Sequence, residues 1–155
     1  MLITRPSVTT EELGFLPGTI NEKMEPWMRP IIHNIEVIIG EKETSVLQNL
    51  NLVKIEPVAY MRGRTFLNSA IIVDEAQNVT HEQMEMCIGR LGKGSKMIIC
   101  GDLRQKDLDK RSHSGLPFLM NKTKDIEEVG HIGLKENHRD PLVEKLLEIY
   151  QDYKV

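Results

Sequence analysis

The chain has 155 residues, of which 40% are hydrophobic and 28% charged, with a formal net charge of -3. That balance argues against a disordered chain and against a globally basic nucleic-acid binder, leaving room only for a local basic groove; the length suits one domain with a single core. Cys87 and Cys100 lack CxxC spacing, and no apolar run approaches the roughly 20 residues of a membrane helix, which argues against a disulfide framework, a zinc site and a membrane span.

In chain order, "MLIT" at the start is the first strand candidate, and "MLITRPSVTT" has no signal-peptide apolar region, so a cytoplasmic protein is expected. "EPWMRPIIHNIEVIIG" is helical by its spacing of Trp27, Ile31, Ile35 and Ile38; Pro26 fits the first turn, and Pro30 either kinks the helix or marks its start. Strands are expected at Ile55–Tyr60 and Ala70–Asp74. A helix follows, opened by a Thr80/Gln83 capping box, with Met84, Cys87, Ile88 and Leu91 on one buried face and Gly92 ending it in a left-handed turn. Further strands are expected at Lys96–Gly101 and His131–Glu136. The last helix starts at Asp140, with Pro141 in its first position and Leu142, Val143, Leu146, Leu147 and Tyr150 on its apolar face. Short apolar runs alternating with amphipathic segments predict an α/β fold, a mainly parallel sheet flanked by helices. The Ala70 and Lys96 strands are apolar almost throughout, as strands buried on both faces are.

Chemistry concentrates at two strand ends. In an open parallel sheet, ligands bind outside the carboxyl ends of the strands, where Asp74 and Glu75 sit after "AIIV". One carboxylate there can hold magnesium, usually through water, while its neighbour orients or deprotonates an attacking water. The next strand ends in "CGDLRQKD", bringing Asp102 and Gln105 toward the same ligand. Either end alone is more simply explained as cap and turn residues; two polar ends together favour a site. An unrelated carboxylate hydrolase is a weaker reading, because adjacent residues on a strand point to opposite faces. His33, His81, His113, His131 and His138 form no convincing ligand set, so no protein-bound transition metal is expected.

"VDEAQN" resembles the Walker B motif of helicase-type P-loop ATPases, and "GDLRQ" resembles the G-D-x-x-Q motif of superfamily 1 helicases. More closely, "LITRPSV", "LGFLPGTINEKMEPWMRP", "AYMRGRTFLNSAIIVDEAQNVTHEQMEMCIGRLGKGSKMIICGDLRQKDL" and "RDPLVEKLLEIY" together resemble the PhoH-like family of ATPases, from Leu2 to Tyr150. The resemblance implies a P-loop NTPase domain of the RecA or helicase type that binds ATP and Mg2+. It implies that Asp74 coordinates the magnesium, Glu75 polarises the attacking water, Gln105 senses the terminal phosphate with Asp102 beside it, and Arg139 serves as an arginine finger. For Arg139 the alternative is a solvated arginine beside a helix N-terminus. RNA is the expected nucleic-acid partner, with Arg5, Arg62 and Arg64 as contacts; Arg104, Lys106, Lys110 and Arg111 form a second basic stretch. For all of these, solvated surface is the competing explanation.

One element of the family pattern is missing from these residues. The sequence contains no G-x-x-x-x-G-K-[ST] Walker A loop, and "LGKGSK" is a turn after the Walker B helix. Three lost charge-assisted hydrogen bonds, at roughly 1.5–3 kcal/mol each, amount to about a thousandfold in affinity, so feeble ATP binding by the chain alone is expected. The expectation is therefore an incomplete ATPase domain over residues 1–155, lacking its first strand, Walker A loop and first helix. In the family's sheet the missing strand lies between the strand ending at Gly101 and the one near Ile132, so both would show open edges. The partners expected are a complementary chain carrying the Walker A segment, RNA and a homo-oligomer, with no membrane. The competing reading is a non-catalytic remnant that acts as an interaction or regulatory module.

Overall fold

The computed structural model describes residues 1–6, 20–105, 108, 113–134 and 140–152. They form two compact units, Met1–Thr123 and Lys124–Val155. The first holds strands β1 (Leu2–Arg5), β2 (Lys54–Pro57), β3 (Ala70–Val73) and β4 (Lys96–Ile99), and helices α1 (Ile20–Ile39), α2 (Glu41–Asn49), α3 (His81–Ile88) and α4 (Gly115–Lys122). The second holds helix α5 (Pro141–Asp152). The strands form one sheet in the order β2-β1-β3-β4, with every pairing parallel. This is the expected α/β architecture.

The first strand lies inside the sheet, with Leu2 facing Lys54 on one side and Ile71 on the other. Parallel pairing keeps register partners on the same face. Leu2, Thr4, Ile71, Val73, Met97 and Ile99 therefore share one face, and most of them belong to a core closed by Met84 and Cys87 of α3, Leu116 of α4, and Val58 and Met61. The opposite face is less covered: Ile72 is half-buried and Ile98 is 47% exposed. Burial of β3 and β4 on both faces, expected from their composition, is not found among the described residues, because β4 is an edge strand of this sheet.

β2 ends three residues before its expected limit. Pro57 has no N–H to continue a ladder, and Val58–Met61 turn into a 3-10 helix that drops Val58 and Met61 into the core at 1% and 0% exposure. α1 begins earlier than expected and contains both Pro26 and Pro30, so Pro30 is not its start. Its apolar stripe holds at Ile31, which is buried, and fails at Ile38, which is 79% exposed. Gly40, with φ 95, separates α1 from α2, a helix with few large apolar residues and no strong sequence signal.

The capping box of α3 is present as expected. Thr80 Oγ1 accepts from the Gln83 N–H and Gln83 Oε1 accepts from the Thr80 N–H. The helix is shorter than expected, ending at Ile88 with Gly89 in a right-handed conformation. Ile88 and Leu91 are consequently 40% and 43% exposed. Gly92 does not supply the left-handed turn, which falls at Gly94 with φ 73. Instead the Gly92 N–H donates to the Phe66 carbonyl, and a Cβ there would lie 2.5 Å from that oxygen. Residues 131–134 are not a strand, and the rest of that expected strand lies outside the described residues. Ile132 and Leu134 are 89% and 92% exposed; an apolar alternation becomes a strand only where a neighbour takes up its backbone groups. Asp140 caps α5 as expected, its Oδ1 accepting from the Leu142 N–H at 2.8 Å.

Gly92→Ala is expected to destabilise the protein by about 1–3 kcal/mol, because the added methyl meets the Phe66 backbone rather than a movable side chain. Gly130→Ala, with nothing within 4 Å of the new methyl, should stay within about 0.5 kcal/mol of the parent. Urea unfolding midpoints measure both, and equal midpoints for the two variants would refute the close approach.

Candidate functional site

The site is assembled at the carboxyl ends of β1, β3 and β4. Thr4 faces Val73 in the sheet register, so the next row places Arg5 beside Asp74. The Asp74 N–H donates to the Thr4 carbonyl at 2.8 Å, fixing that row. Arg5 Nε and Nη2 both donate to Asp74 Oδ2, at 3.2 and 2.8 Å. The same Nη2 lies 3.6 Å from Glu75 Oε1. One guanidinium thus offsets two consecutive carboxylates.

Glu75 can share that cation because it leaves the strand with φ 52 and ψ 38, in the left-handed region. Such backbone costs a non-glycine residue on the order of 1–2 kcal/mol and persists where surrounding bonds fix it. The expectation that Asp74 and Glu75 point to opposite faces, drawn from strand alternation, therefore fails at this bend.

Gln77 fixes it. Its side chain is fully buried in the 3-10 turn Ala76–Asn78, and its amide is fully used. Nε2 donates to Glu75 Oε2 at 2.5 Å and to the Gln105 carbonyl at 3.2 Å, while Oε1 accepts from the Asp102 N–H at 3.1 Å. The Ala76 N–H also donates to the Cys100 carbonyl at 2.8 Å. The β3 and β4 ends are therefore tied together, with Gln77 at the knot. A Cβ on Gly101 would come within 2.8 Å of Gln77 Oε1, so the turn after β4 needs glycine at that point. No role follows for Gln77 from the sequence alone; the only cue is an amide two residues beyond Glu75, next to a second amide at Asn78.

On the β4 side, Asp102 accepts from the Arg104 backbone N–H at 3.0 Å and from its guanidinium at 3.1 Å, and from Gln105 Nε2 at 3.2 Å. The Arg104 side-chain bond, followed by its backbone N–H, pulls the Asp102 carboxyl down to about 2. Burial, and then the Asp74 charge, push the Cys100 thiol up. Both cysteines are free; Cys87 is buried, which raises its thiol to about 11.

The residue types suit a hard cation. Asp74 and Glu75 offer carboxylate oxygens, and the Arg5 hydrogen bonds to Asp74 fall on Oδ2 rather than Oδ1. Among the described residues no group of three or more His, Cys, Asp or Glu could hold a metal by itself. One or two carboxylates, completed by water and substrate phosphates, is the pattern by which magnesium is usually held.

A comparison with known families settles the affiliation, since the family described as "PhoH-like protein" matches residues 1–151. The chain belongs to the PhoH-like family. It is 44% identical over 153 residues to a PhoH-like protein of Bacillus subtilis (strain 168), covering 97% of this chain and 48% of that one. It is 41% identical to a PhoH-like protein of Synechocystis, covering 97% and 47%, and 39% identical to Protein PhoH of Escherichia coli (strain K12), covering 97% and 44%. The chain spans about half the length of the curated relatives it matches.

Of the residues singled out in the PhoH-like sequence, the structure brings together Arg5, Asp74, Glu75, Asp102 and Gln105. Arg64 lies elsewhere, paired with Glu56 and stacked 4.8 Å from the Phe66 ring centroid, and Arg62 is exposed. Arg139, Lys106, Lys110, Arg111 and His138 lie outside the described residues.

The Asp102 pairing has a pH signature. Its folded value is below the unfolded carboxylate value of about 3.9, so the stabilisation is complete above about pH 4 and is lost as pH falls toward 2. Carboxyl-carbon NMR titration should place the Asp102 midpoint near 2 in the parent and appreciably higher in Arg104→Ala; identical midpoints would remove Arg104 as the cause. Arg5→Gln leaves Asp74 and Glu75 without their shared counter-charge, so its melting temperature should fall at low salt and rise on adding Mn2+ by more than the parent's does. An equal Mn2+ response in both would show that Arg5 does not compete for these carboxylates.

Proposed function

We infer that this chain supplies the Walker B and sensor side of an ATP-hydrolysing site, with the phosphate-gripping Walker A loop supplied by polypeptide outside these 155 residues. The observation that carries the reading is the Gln77 tie, which holds the polar ends of β3 and β4 in one constellation. Asp74 would hold Mg2+, which supplies charge neutralisation on the transferred phosphoryl group. Glu75 accepts a proton from the attacking water, with its carboxylate oriented by Gln77. Gln105, hydrogen-bonded to Asp102, reports the terminal phosphate, and Arg139 contributes positive charge to it. Hydrolysis of this type is chiefly positioning plus electrostatic stabilisation, and a buried amide clamp suits that need.

The work served is RNA-linked; of Arg5, Arg62 and Arg64, Arg62 is the exposed one, whereas Arg5 and Arg64 would first have to leave Asp74 and Glu56 to meet a phosphate backbone. Two free thiols suit a reducing cytoplasm. No helix among the described residues is long and apolar enough to cross a membrane. A second reading, a non-catalytic module that pairs with a partner or with its own copies through an exposed edge, is favoured by one observation: β4 is an edge strand with Ile98 47% exposed.

The purified chain should show no magnesium-dependent ATPase activity. Mixing it with a polypeptide carrying a G-x-x-x-x-G-K-[ST] loop, its preceding strand and its following helix should restore turnover. In that complex Glu75→Gln should lower kcat by about 10²–10⁴-fold while leaving ATP binding intact. Substantial turnover by the chain alone would overturn the inference, and binding of the second polypeptide without any turnover would favour the non-catalytic module.

A further inference from the structure

Beside the strand ends lies a cleft that the candidate ATPase chemistry does not use. Its volume is about 380 Å³, and it is lined by Gln77, His81, Leu103, His113, Ser114, Pro117 and Phe118. That size falls within the roughly 300–1,000 Å³ of small-ligand sites.

Its walls are rigid. α3 and α4 meet at their first turns, where Thr80 and Ser114 form an antiparallel bridge and the Gly115 N–H donates to the Val79 carbonyl at 2.8 Å. A Cβ on Gly115 would lie 2.7 Å from Met84 Cβ, so the first turns of these helices pack in direct contact beside the cleft.

The lining is aromatic with polar edges. Phe118 is 55% exposed, and its ring meets that of His81 edge to face, with centroids 5.2 Å apart. His81 and His113 are both exposed, and neither makes a hydrogen bond to another described residue. Ser114 lines the cleft though only 7% exposed, and its Oγ accepts from the Leu116 N–H, which leaves its O–H as a donor. A flat apolar ring, two imidazoles with unmet edges and a hydroxyl suit a planar heteroaromatic ligand that stacks on its face and hydrogen-bonds along its edge.

We propose that this cleft is a nucleobase-binding subsite, with Phe118 and His81 as the stacking wall and His113 and Ser114 as the edge contacts. Two sources carry that chemistry, a base of a single-stranded RNA and the base of a free nucleotide. Gln77 forms the inner wall, and the same side chain holds Glu75. A base seated in the cleft thus presses on the residue that orients the water-polarising carboxylate. That link to hydrolysis rests on the ATPase reading; the binding site does not.

The test needs no turnover. Phe118→Trp places an indole in the wall, and its emission is read in the full chain against the parent, whose only tryptophan is Trp27. A short unstructured RNA oligonucleotide, added without ATP, should quench the new indole, and adenosine monophosphate or ATP tests the second source. Quenching by RNA but not by the mononucleotides assigns the base to a strand; quenching by mononucleotides at comparable concentration assigns it to a nucleotide. In Phe118→Ala, with an unchanged circular dichroism spectrum, the affinity for whichever ligand binds should fall about tenfold or more, measured by anisotropy of the labelled ligand. No quenching by any of the three, or unchanged affinity in Phe118→Ala, overturns the proposal. Loss of complementation in the ATPase assay leaves it untouched, since binding is read without hydrolysis.

Discussion

The whole site depends on β1 being an interior strand. It pairs through four residues with β2 and through three with β3, which fixes those strands relative to one another and sets the row in which Arg5 meets Asp74. A shift of one residue in that register would turn every side chain of β1 to the other face. Leu2 would leave the core, and Arg5 would lose the carboxylates. The burial of Leu2 and Ile3, on opposite faces at 3% and 6%, makes such a slip costly, so hydrophobic burial at the start of the strand positions the charge at its end.

From that row outward, the site is a chain of polar bonds in a partly dry setting. Asp74 and Glu75 are consecutive carboxylates that share one neighbouring cation. Arg5 supplies that cation from the neighbouring strand. Gln77 then does for geometry what Arg5 does for charge. Its three hydrogen bonds, each a net contribution of about 0.5–1.5 kcal/mol and more for the one to ionised Glu75, are of the size needed to offset the left-handed backbone at Glu75. Removing that amide would also strand the Asp102 N–H without its acceptor, so the two strand ends are coupled through one side chain.

Much of this was legible in the sequence, for physical reasons that vary by element. Four strands and the capped start of α3 were accessible because branched apolar runs and a Thr80/Gln83 pair carry their own local signal. The limits of those elements were not: Pro57 stops β2, and Gly89 rather than Gly92 closes α3, because packing against Phe66 takes Gly92 for another purpose. Residues 131–134 have the alternation expected of a strand but are not one, since alternation alone does not supply a neighbouring ladder. Asp74, Glu75, Asp102 and Gln105 stood out as polar groups at the ends of apolar runs. Gln77 did not, since its importance comes from burial and from partners 25 and 28 residues away. The sequence offers Arg5 only as a nucleic-acid contact; its pairing with Asp74 is not legible there, because strand register decides it.

Among the described residues β4 is an edge strand, and the residues that follow it belong to the site. β4 ends at Ile99, and the turn that follows carries Asp102 and Gln105. A further strand pairing in parallel with β4 would end at the same side of the sheet, and the loop leaving it would emerge next to Gln105 and within reach of Glu75. An antiparallel strand would bring the opposite end there and leave the strand-end residues facing no loop from it. The parallel direction of the existing pairings, together with helices large enough to cover a crossover, favours the first arrangement. On that geometry, a strand that pairs with the backbone of β4 also brings its following loop beside the residues that Gln77 ties together.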